Sequence, residues 1–386
     1  MTVINEQKHE DSPAFLEIKN LYLNFSVYQG TVQVLDGVNI KMKKGEILGI
    51  VGETGCGKTV TSRSVVKLLE SNAVIEEGEI TFEGGDNLVN ATEGELEKIR
   101  GRRISVIFQE PMTSLNPTMR VGDQVGEGIL KHFKGDMIKK GLEIIEETKP
   151  MLAGLYTNLL KRELDAPNSL VLKITSKIPI INRYNKYAKK AAFQESIEIL
   201  ESVGMPAPER VSYGYPHELS GGMRQRVLIA ISLAAKPELI IADEPTTAVD
   251  VTTQAKILKL LLELRENKGT SLLVITHNLG VIAEICDRVC VMYAGQIAEV
   301  GKVSDIFKHP FHPYTQGLMN SIHDIGDKSE LEEIAGYVPI LLHPPSGCRF
   351  HPRCPQVMDT CIKKPNLTEH EVGHHVHCWL YQRVEE

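Results

Sequence analysis

A glycine-rich segment between a predicted strand and a predicted helix constrains the fold of this chain more than any other feature. Residues 52–59 read GETGCGKT, follow the apolar run ILGIV and lead into a helix predicted to begin at Lys58. Glycines let successive backbone N–H groups turn toward a phosphate, and the following helix adds the positive end of its dipole. This order of strand, loop and helix is what the pattern G-x-x-x-x-G-K-[ST] requires, and a chance glycine-rich turn explains it poorly.

The segment therefore predicts a site for the phosphates of ATP and for Mg²⁺. We expect Lys58 to contact the β- and γ-phosphate oxygens, and the Thr59 hydroxyl to bind Mg²⁺. The residues of the segment expected to bind the nucleotide are Gly52, Glu53, Thr54, Gly55, Cys56, Gly57, Lys58 and Thr59.

A second apolar run, residues 239–242, ends in the acidic pair Asp243 and Glu244. The run predicts a central strand whose carboxyl end lies beside the glycine-rich loop. Asp243 is then expected to hold Mg²⁺ through water, and Glu244 to act as the general base toward the attacking water. A strand that simply ends in two solvated acids is the alternative, and the loop upstream makes it weaker.

Strands and helices alternate along most of the chain, as is typical of a doubly wound α/β sheet. Two or three short strands are expected between residues 16 and 45, and buried strands at 104–108, 239–243 and 271–277. Helices are predicted at 221–235 and 253–267, and a mainly helical stretch with many lysines from about 120 to 217.

Residues 219–226, LSGGMRQR, resemble the LSGGQ signature of ABC transporter ATPases, with Met223 in the fifth place. An N-capped helix with a flexible turn would explain SGG alone, but not its position shortly before Asp243 and Glu244. In that family the signature closes over ATP held by the partner subunit. The resemblance thus implies that Ser220, Gly221 and Gly222 bind the partner's nucleotide.

The same resemblance, which covers about residues 15–305, assigns roles to four further positions. Gln109 corresponds to the glutamine that contacts Mg²⁺ and the γ-phosphate, so that Thr59, Gln109 and Asp243 form the expected Mg²⁺ set. Asp250 corresponds to the loop that crosses the dimer interface, and His277 to the switch histidine. Phe25 best fits the aromatic side chain that stacks on adenine, with Tyr28 second.

The resemblance implies a P-loop ABC ATPase domain with a RecA-like α/β core, an antiparallel β subdomain and a helical subdomain. We expect this domain in residues 1–305, with the helical subdomain at about 120–235. Residues 306–386 are rich in proline, lose regular periodicity and are expected to form a small irregular metal-binding region.

Two stretches of the C-terminal region resemble the ATPases of peptide and nickel importers. They are HPFHPYTQGL at residues 309–318 and GCRFHPRCP at residues 347–355. The resemblance implies an ATP-hydrolysing subunit that powers the uptake of dipeptides or oligopeptides. The sequence leaves the cargo open among dipeptides, oligopeptides and nickel.

The last 39 residues contain Cys348, Cys354, Cys361 and Cys378, with spacing C-x5-C-x6-C-x16-C. Clustered cysteines in a reducing compartment suggest a metal site rather than disulfides. Structural zinc sites usually show C-x2–4-C pairs, whereas wider spacings suit a larger [4Fe–4S] cluster. The family resemblance also points to an iron–sulfur cluster, for which we expect a structural role. Zinc and unliganded thiols are the alternatives.

Charge is unevenly distributed, since the net charge is −7 but residues 131–190 hold 13 Lys/Arg against 6 Asp/Glu. An insertion of about 45–50 residues around 135–185 would explain this stretch, either as basic helices facing an anionic membrane surface or as plain solvated helices.

No run of 18 apolar residues and no secretion signal is present, so we expect a peripheral protein at the cytoplasmic face of the membrane. The expected partners are a second ABC ATPase subunit, as heterodimer or homodimer, two integral permease subunits and, indirectly, an extracytoplasmic substrate-binding protein. The net negative charge does not suit nucleic-acid binding. A soluble ABC ATPase acting on ribosomes or DNA is the competing interpretation, but such proteins usually carry two cassettes.

Overall fold

The computed structural model describes residues 14–109, 111–166, 169, 184–247, 249–321 and 334–382. The strands of these residues are β1 Leu16–Val27, β2 Gly30–Met42, β3 Ile47–Val51, β4 Ala73–Phe82, β5 Ile104–Ile107, β6 Leu239–Asp243, β7 Ser271–Thr276, β8 Arg288–Tyr293, β9 Gln296–Lys302, β10 Thr368–Glu371 and β11 His374–Val376. The helices are α1 Lys58–Val65, α2 Glu93–Ile99, α3 Pro111–Ser114, α4 Val121–Thr148, α5 Ala153–Asp165, α6 Asn185–Ser202, α7 Pro208–Tyr213, α8 Gly221–Leu233, α9 Val251–Lys268, α10 Leu279–Ile285, α11 Val303–Lys308 and α12 Pro313–Asn320.

These residues divide into two compact units. Unit one contains the described residues of 1–99, 241–245 and 261–386, and unit two those of 100–240 and 246–260. The C-terminal region thus belongs to the same unit as β3 and β7, and the predicted domain boundary near residue 305 stays a prediction.

Unit one contains a three-stranded antiparallel sheet in the order β2-β1-β4. The two or three short strands expected between residues 16 and 45 are in fact two long ones. Leu16, Ile18, Leu21 and Leu23 on β1 are buried. Register shifts between Ile18 and Leu23 let β1 bend while it pairs with both neighbours.

The larger sheet of unit one runs in the order β10-β11-β9-β8-β3-β7-β6. Strand β3 pairs in parallel with both β7 and β8, and every residue of β3 and β7 is buried. Such strands need apolar side chains on both faces, which explains the continuous runs ILGIV and SLLVIT. The carboxyl ends of β3, β6 and β7 lead directly into Gly52, Glu244 and His277.

The C-terminal region is more regular than its proline content predicts. Strand β11 pairs antiparallel with β9, and β10 pairs with β11, so this region extends the larger sheet. Its interior contains Tyr314 and Phe350, which pack with Tyr293 of β8. Between β9 and β11, the buried His374 approaches the buried Glu299 with 2.7 Å between ring nitrogen and carboxylate oxygen.

The described part of unit two is mainly helical, and the helical subdomain expected at about 120–235 stays a prediction. Helix α4 kinks at Phe133, where φ is −127° and ψ is 34°. It packs closely on α6 at Gly141, where a Cβ would lie only 3.0 Å from the backbone nitrogen of Ala188. The absence of a side chain at Gly141 therefore allows the two helices to approach. The predicted basic insertion coincides with the end of α4 and with α5, but residues 167, 168 and 170–183 lie outside the described part of the chain.

Strand β5 adjoins the start of β6, since the N–H groups of Glu238 and Leu239 both donate to the Arg103 carbonyl. Among the helices described above, none is both long and apolar enough to cross a membrane.

Candidate functional site

The glycine-rich loop joins β3 to α1, as the sequence predicts. Gly57 caps α1 with a φ of 102°, in the left-handed region that favours glycine. A Cβ on Gly52 would lie 2.0 Å from the Met292 carbonyl oxygen, so only glycine lets the loop leave β3 at this angle. The Lys58 ammonium is buried and donates to the carbonyls of Gly52 at 2.7 Å and Glu53 at 3.0 Å. The loop thus forms a cradle around the buried cation of Lys58.

The remaining loop residues differ in exposure. Thr54 and Gly55 are exposed at the tip of the loop. Cys56 is buried beneath it, and burial raises the pKa of its thiol. The thiol is therefore neutral near pH 7, and Cys56 contributes to the loop through its backbone and its packing rather than as a nucleophile.

Thr59 and Asp243 form the acidic edge of the cradle. The Thr59 hydroxyl donates to a carboxylate oxygen of Asp243 at 3.1 Å. Asp243 is 1% exposed, and this burial raises the pKa of its carboxyl group. A hydroxyl and a carboxylate at this separation are oxygen ligands of the kind that Mg²⁺ prefers, and a divalent cation would offset the cost of the buried charge.

Glu244 and His277 meet at the ends of β6 and β7. The Nδ1 atom of His277 lies 2.7 Å from a carboxylate oxygen of Glu244. Glu244 has a φ of 51°, and its N–H donates to the Ile275 carbonyl at 2.8 Å. A left-handed non-glycine residue costs about 1–2 kcal/mol, so the fold holds this carboxylate in place against strain. A carboxylate in this position can accept a proton from a water molecule.

In unit two the signature residues lie beside the segment that contains Asp250. Ser220 caps helix α8, and its hydroxyl oxygen accepts from the Met223 N–H at 3.4 Å. A Cβ on Gly222 would lie 2.6 Å from a methyl carbon of Thr253, so glycine allows α8 to approach the start of α9. Gly221, between these two, is exposed.

Asp250 caps α9 in turn. Its carboxylate accepts from the Thr253 hydroxyl at 2.7 Å and the Thr253 N–H at 2.9 Å. These hydrogen bonds lower the pKa of Asp250 to about 2. Thr253 therefore links the signature glycine to Asp250 within unit two.

The other predicted site residues occupy exposed or half-buried positions. Gln109 is exposed, two residues beyond the end of β5. Phe25 is half-buried in β1, opposite Val32 of β2, whereas Tyr28 is fully exposed in the turn between β1 and β2. The choice between Phe25 and Tyr28 as the aromatic contact for adenine stays a prediction.

Tyr314 and Arg353 contact the loop and were not predicted from the sequence. The Glu53 N–H donates to the Tyr314 hydroxyl at 3.0 Å. The Arg353 guanidinium donates to both carboxylate oxygens of Glu53, at 2.9 and 3.3 Å. Tyr314 and Arg353 lie in the two stretches that carry the peptide-importer resemblance, but more than 250 residues separate them from Glu53 in the sequence.

The four C-terminal cysteines share one neighbourhood. Cys348, Cys361 and Cys378 are buried, and Cys354 is half-buried. Burial, with a smaller contribution from the nearby cysteines, raises the pKa of Cys348 to about 11 and that of Cys378 to about 12. Within the described ranges, no group of three or more His, Cys, Asp or Glu side chains is arranged to hold a metal ion.

Comparison with protein families identifies two matching regions. Residues 35–247 match the ABC transporter family. Residues 298–361, which include Tyr314, Cys348 and Arg353, match the C-terminal region of oligopeptide/dipeptide transporters. The first match covers the loop, the signature and the acidic pair, and the second covers most of the C-terminal region.

Similar proteins match over nearly the whole chain. The dipeptide transport ATP-binding protein DppD of Bacillus subtilis is 42% identical over 374 residues, 96% of each chain. The oligopeptide transport ATP-binding protein OppD of Haemophilus influenzae is 42% identical over 366 residues, 95% of this chain and 97% of that protein. A dimeric post-hydrolysis structure of the ATP-binding cassette MJ0796, bound to ADP and Pi, is 25% identical with a TM-score of 0.55, and covers 75% of this chain and 98% of that one. The chain therefore belongs to the ABC transporter family, among the ATP-binding proteins of oligopeptide and dipeptide transporters.

Proposed function

We propose that this chain binds and hydrolyses ATP to power the uptake of dipeptides or oligopeptides through separate membrane subunits. The observation that carries the proposal is an edge of unit one where the phosphate-binding loop begins and β6 and β7 end. The Thr59–Asp243 pair and the Glu244–His277 pair both lie at this edge. The family of the chain and its peptide-transporter C-terminal region support the cargo class.

Each residue of this edge has a distinct proposed role. Lys58 would neutralise the β- and γ-phosphates, and Thr59 and Asp243 would hold Mg²⁺. Glu244 takes the proton of the attacking water, and His277 orients the Glu244 carboxylate through their 2.7 Å contact. Magnesium would stabilise the charge that develops on the phosphates, and Gln109 contributes to its coordination.

The signature residues act across a dimer interface. Ser220, Gly221 and Gly222 stand at the N-terminus of α8, where backbone N–H groups and the helix dipole favour an anion. We assign them, with Asp250, to the ATP held by a second ABC ATPase subunit, either a similar partner or a second copy. The dimer would bind two permease subunits at the cytoplasmic face of the membrane, and a substrate-binding protein would deliver the cargo to those permease subunits.

A transport assay tests this function. Cells that lack the chain should lose uptake of labelled dipeptides or oligopeptides, and the wild-type chain should restore it whereas Lys58→Ala should not. Uptake of nickel alone, or a chain that co-purifies with ribosomes or DNA instead of membrane proteins, would contradict the proposal.

We further propose that Cys348, Cys354, Cys361 and Cys378 hold a [4Fe–4S] cluster with a structural role. Backbone N–H groups point at all four sulfurs, from Phe350 and His351 to Cys348, Gln356 to Cys354, Met358 to Cys361, and Leu380 to Cys378. Such donors stabilise thiolates, and four thiolates are the donor set of a cysteine-ligated cluster.

A bound cluster would join separate loops of the C-terminal region. The raised thiol pKa values mean that metal binding has to displace protons, so the cluster should stabilise the fold more as pH rises toward neutrality. The cluster would act as a structural cross-link and would take no part in a redox step of the transport cycle.

Anaerobic purification tests the cluster. The protein should be brown, absorb broadly near ~400 nm and contain about four irons per chain. Cys354→Ser should lose this colour, whereas the matched control Cys286→Ser, outside the set, should keep it. Stoichiometric zinc without iron in protein never exposed to air would instead assign a four-cysteine zinc site.

A further inference from the structure

Glu53 is a residue of the phosphate-binding loop that the C-terminal region contacts. Its backbone N–H donates to the Tyr314 hydroxyl at 3.0 Å, and its carboxylate accepts two hydrogen bonds from Arg353 at 2.9 and 3.3 Å. The Arg353 side chain is 7% exposed and that of Glu53 27%. Backbone and side chain of one loop residue are therefore both held from outside the loop.

Arg353 is itself rigidly placed. Besides the two bonds to Glu53, its guanidinium donates to the carbonyls of Ala335 and Ile334 at 2.9 and 3.0 Å and to the Tyr293 hydroxyl at 3.2 Å. These contacts use all five N–H donors of the guanidinium. A planar fork that is fully hydrogen-bonded can hold a carboxylate in one orientation, as a lysine cannot.

Tyr314 is equally constrained. It is 0% exposed, and its ring centroid lies 4.6 Å from that of Tyr293 and 5.4 Å from that of Phe350. Its backbone N–H donates at 3.0 Å to a ring nitrogen of His312, which is the N-cap residue of helix α12. The Tyr314 hydroxyl thus meets the Glu53 N–H from a packed aromatic cluster rather than from a mobile loop.

The position of Glu53 influences the phosphate site because Glu53 is hydrogen-bonded to Lys58. The Lys58 ammonium donates to the Glu53 carbonyl at 3.0 Å, so the peptide groups on both sides of Glu53 are hydrogen-bonded, one to Tyr314 and one to Lys58. A shift of Glu53 would move the cation that is expected to contact the phosphates.

Docking of the C-terminal region does not account for these contacts, because other interactions attach it elsewhere. Lys364 pairs with Asp36 at 2.6 Å, and β11 pairs with β9. The buried Arg349 donates to the carbonyls of Gln33 and Ala294. None of these contacts touches the loop.

We propose that Tyr314 and Arg353 are positioning residues of the ATP site, which hold Glu53 and thereby keep the phosphate-binding loop and Lys58 in the arrangement that accepts ATP. The C-terminal region of this subunit is then part of the nucleotide site. Because Arg353 directly precedes Cys354, the four-cysteine segment and the loop are joined by one side chain. The proposal rests on the ATP site proposed above.

Equilibrium binding of Mg²⁺-ATP to the full-length chain tests the proposal. Arg353→Gln should weaken ATP binding roughly 5- to 20-fold, since it removes a charge-assisted bidentate pair. The ATP affinity of Arg353→Lys should lie between that of Arg353→Gln and that of the wild type. Tyr314→Phe, which keeps the ring and removes only the hydroxyl, should weaken binding about 3- to 10-fold. The double variant Glu53→Gln/Arg353→Gln should bind no more weakly than Arg353→Gln alone, because both changes remove the same interaction.

The matched control is Lys364→Gln, which removes an ion pair of the C-terminal region that lies away from the loop. It should lower the thermal unfolding midpoint less than Arg353→Gln does, because the Lys364–Asp36 pair is more exposed, and its ATP affinity should stay within about twofold of wild type. If Arg353→Gln fails to fold, Tyr314→Phe and Arg353→Lys carry the same test.

Unchanged ATP affinity in Tyr314→Phe and Arg353→Gln, or an equal loss in Lys364→Gln, would overturn the positioning role. Full ATP affinity in Lys58→Ala would instead refute the proposed ATP site itself, and the positioning role with it.

Discussion

Replacing Glu244 by glutamine should nearly abolish ATP hydrolysis while the site stays assembled. Glutamine has almost the same shape as glutamate and can keep a hydrogen bond to His277, which lies 2.7 Å from the carboxylate. It also keeps the left-handed backbone at φ 51°. We therefore expect the free energy of unfolding to change by less than about 1 kcal/mol.

The catalytic effect should be much larger. A glutamine side chain cannot accept the proton of the attacking water, and a general base typically contributes roughly 10²- to 10⁴-fold to the rate. This loss corresponds to about 3–5 kcal/mol of transition-state stabilisation, at 1.36 kcal/mol for each factor of ten. Lys58, Thr59 and Asp243 are unchanged, so ATP affinity should stay within about twofold of wild type.

The assay combines phosphate release with equilibrium ATP binding on the same preparation. Glu266→Gln, the same chemical change at an exposed position on α9, is the matched control and should hydrolyse ATP at the wild-type rate. Turnover of Glu244→Gln within about threefold of wild type, with normal ATP binding, would remove Glu244 from the role of general base. Loss of ATP binding together with hydrolysis would show that the residue serves the structure of the site.

Two further outcomes are expected. If the chain self-associates, mixing Glu244→Gln chains with Ser220→Arg chains should restore part of the ATPase activity. In the mixed dimer, one of the two sites combines an intact Glu244 from one chain with an intact signature from the other. A mixture as inactive as its components would exclude a composite site in the homodimer. Burial lowers the pKa of His312 from 6.5 to about 4. Between these pH values the unfolded chain binds one proton more than the folded chain, so the free energy of unfolding should fall by about 3 kcal/mol as the pH drops from 6.5 to 4. His312→Asn keeps a cap acceptor for the Tyr314 N–H, and its unfolding midpoint should depend less on pH from 6.5 to 4; equal pH dependence in both proteins would contradict the assignment.

The sequence by itself determined the parts of the nucleotide site that are local in the chain. The run ILGIV, the glycines and Lys58 lie within 12 residues, and they form a strand, a loop and a helix in that order. The strand LIIAD was predicted with the bounds that β6 has, since a fully buried parallel strand leaves an unbroken apolar run. Caps such as Ser220 and Asp250 are equally local, because their side chains bond N–H groups three residues away.

Distances between segments were less accessible from the sequence. The proline-rich C-terminal region was expected to be irregular, yet β11 adds to the larger sheet through backbone bonds that depend little on side-chain identity. The buried Glu299 beside His374 is another example. Neither residue type predicts a buried position, and only the pairing of β9 with β11 brings the two together.

The contact of Tyr314 and Arg353 with Glu53 was decided entirely by the tertiary structure. Their stretches of sequence indicated a family, but no periodicity or spacing relates residue 314 or 353 to residue 53. Helix and strand patterns report on neighbours a few residues apart, because they arise from backbone hydrogen bonds and from which face of an element is buried. A side-chain contact across 261 or 300 residues depends on how separate elements pack, and that is set by the shape of the whole core.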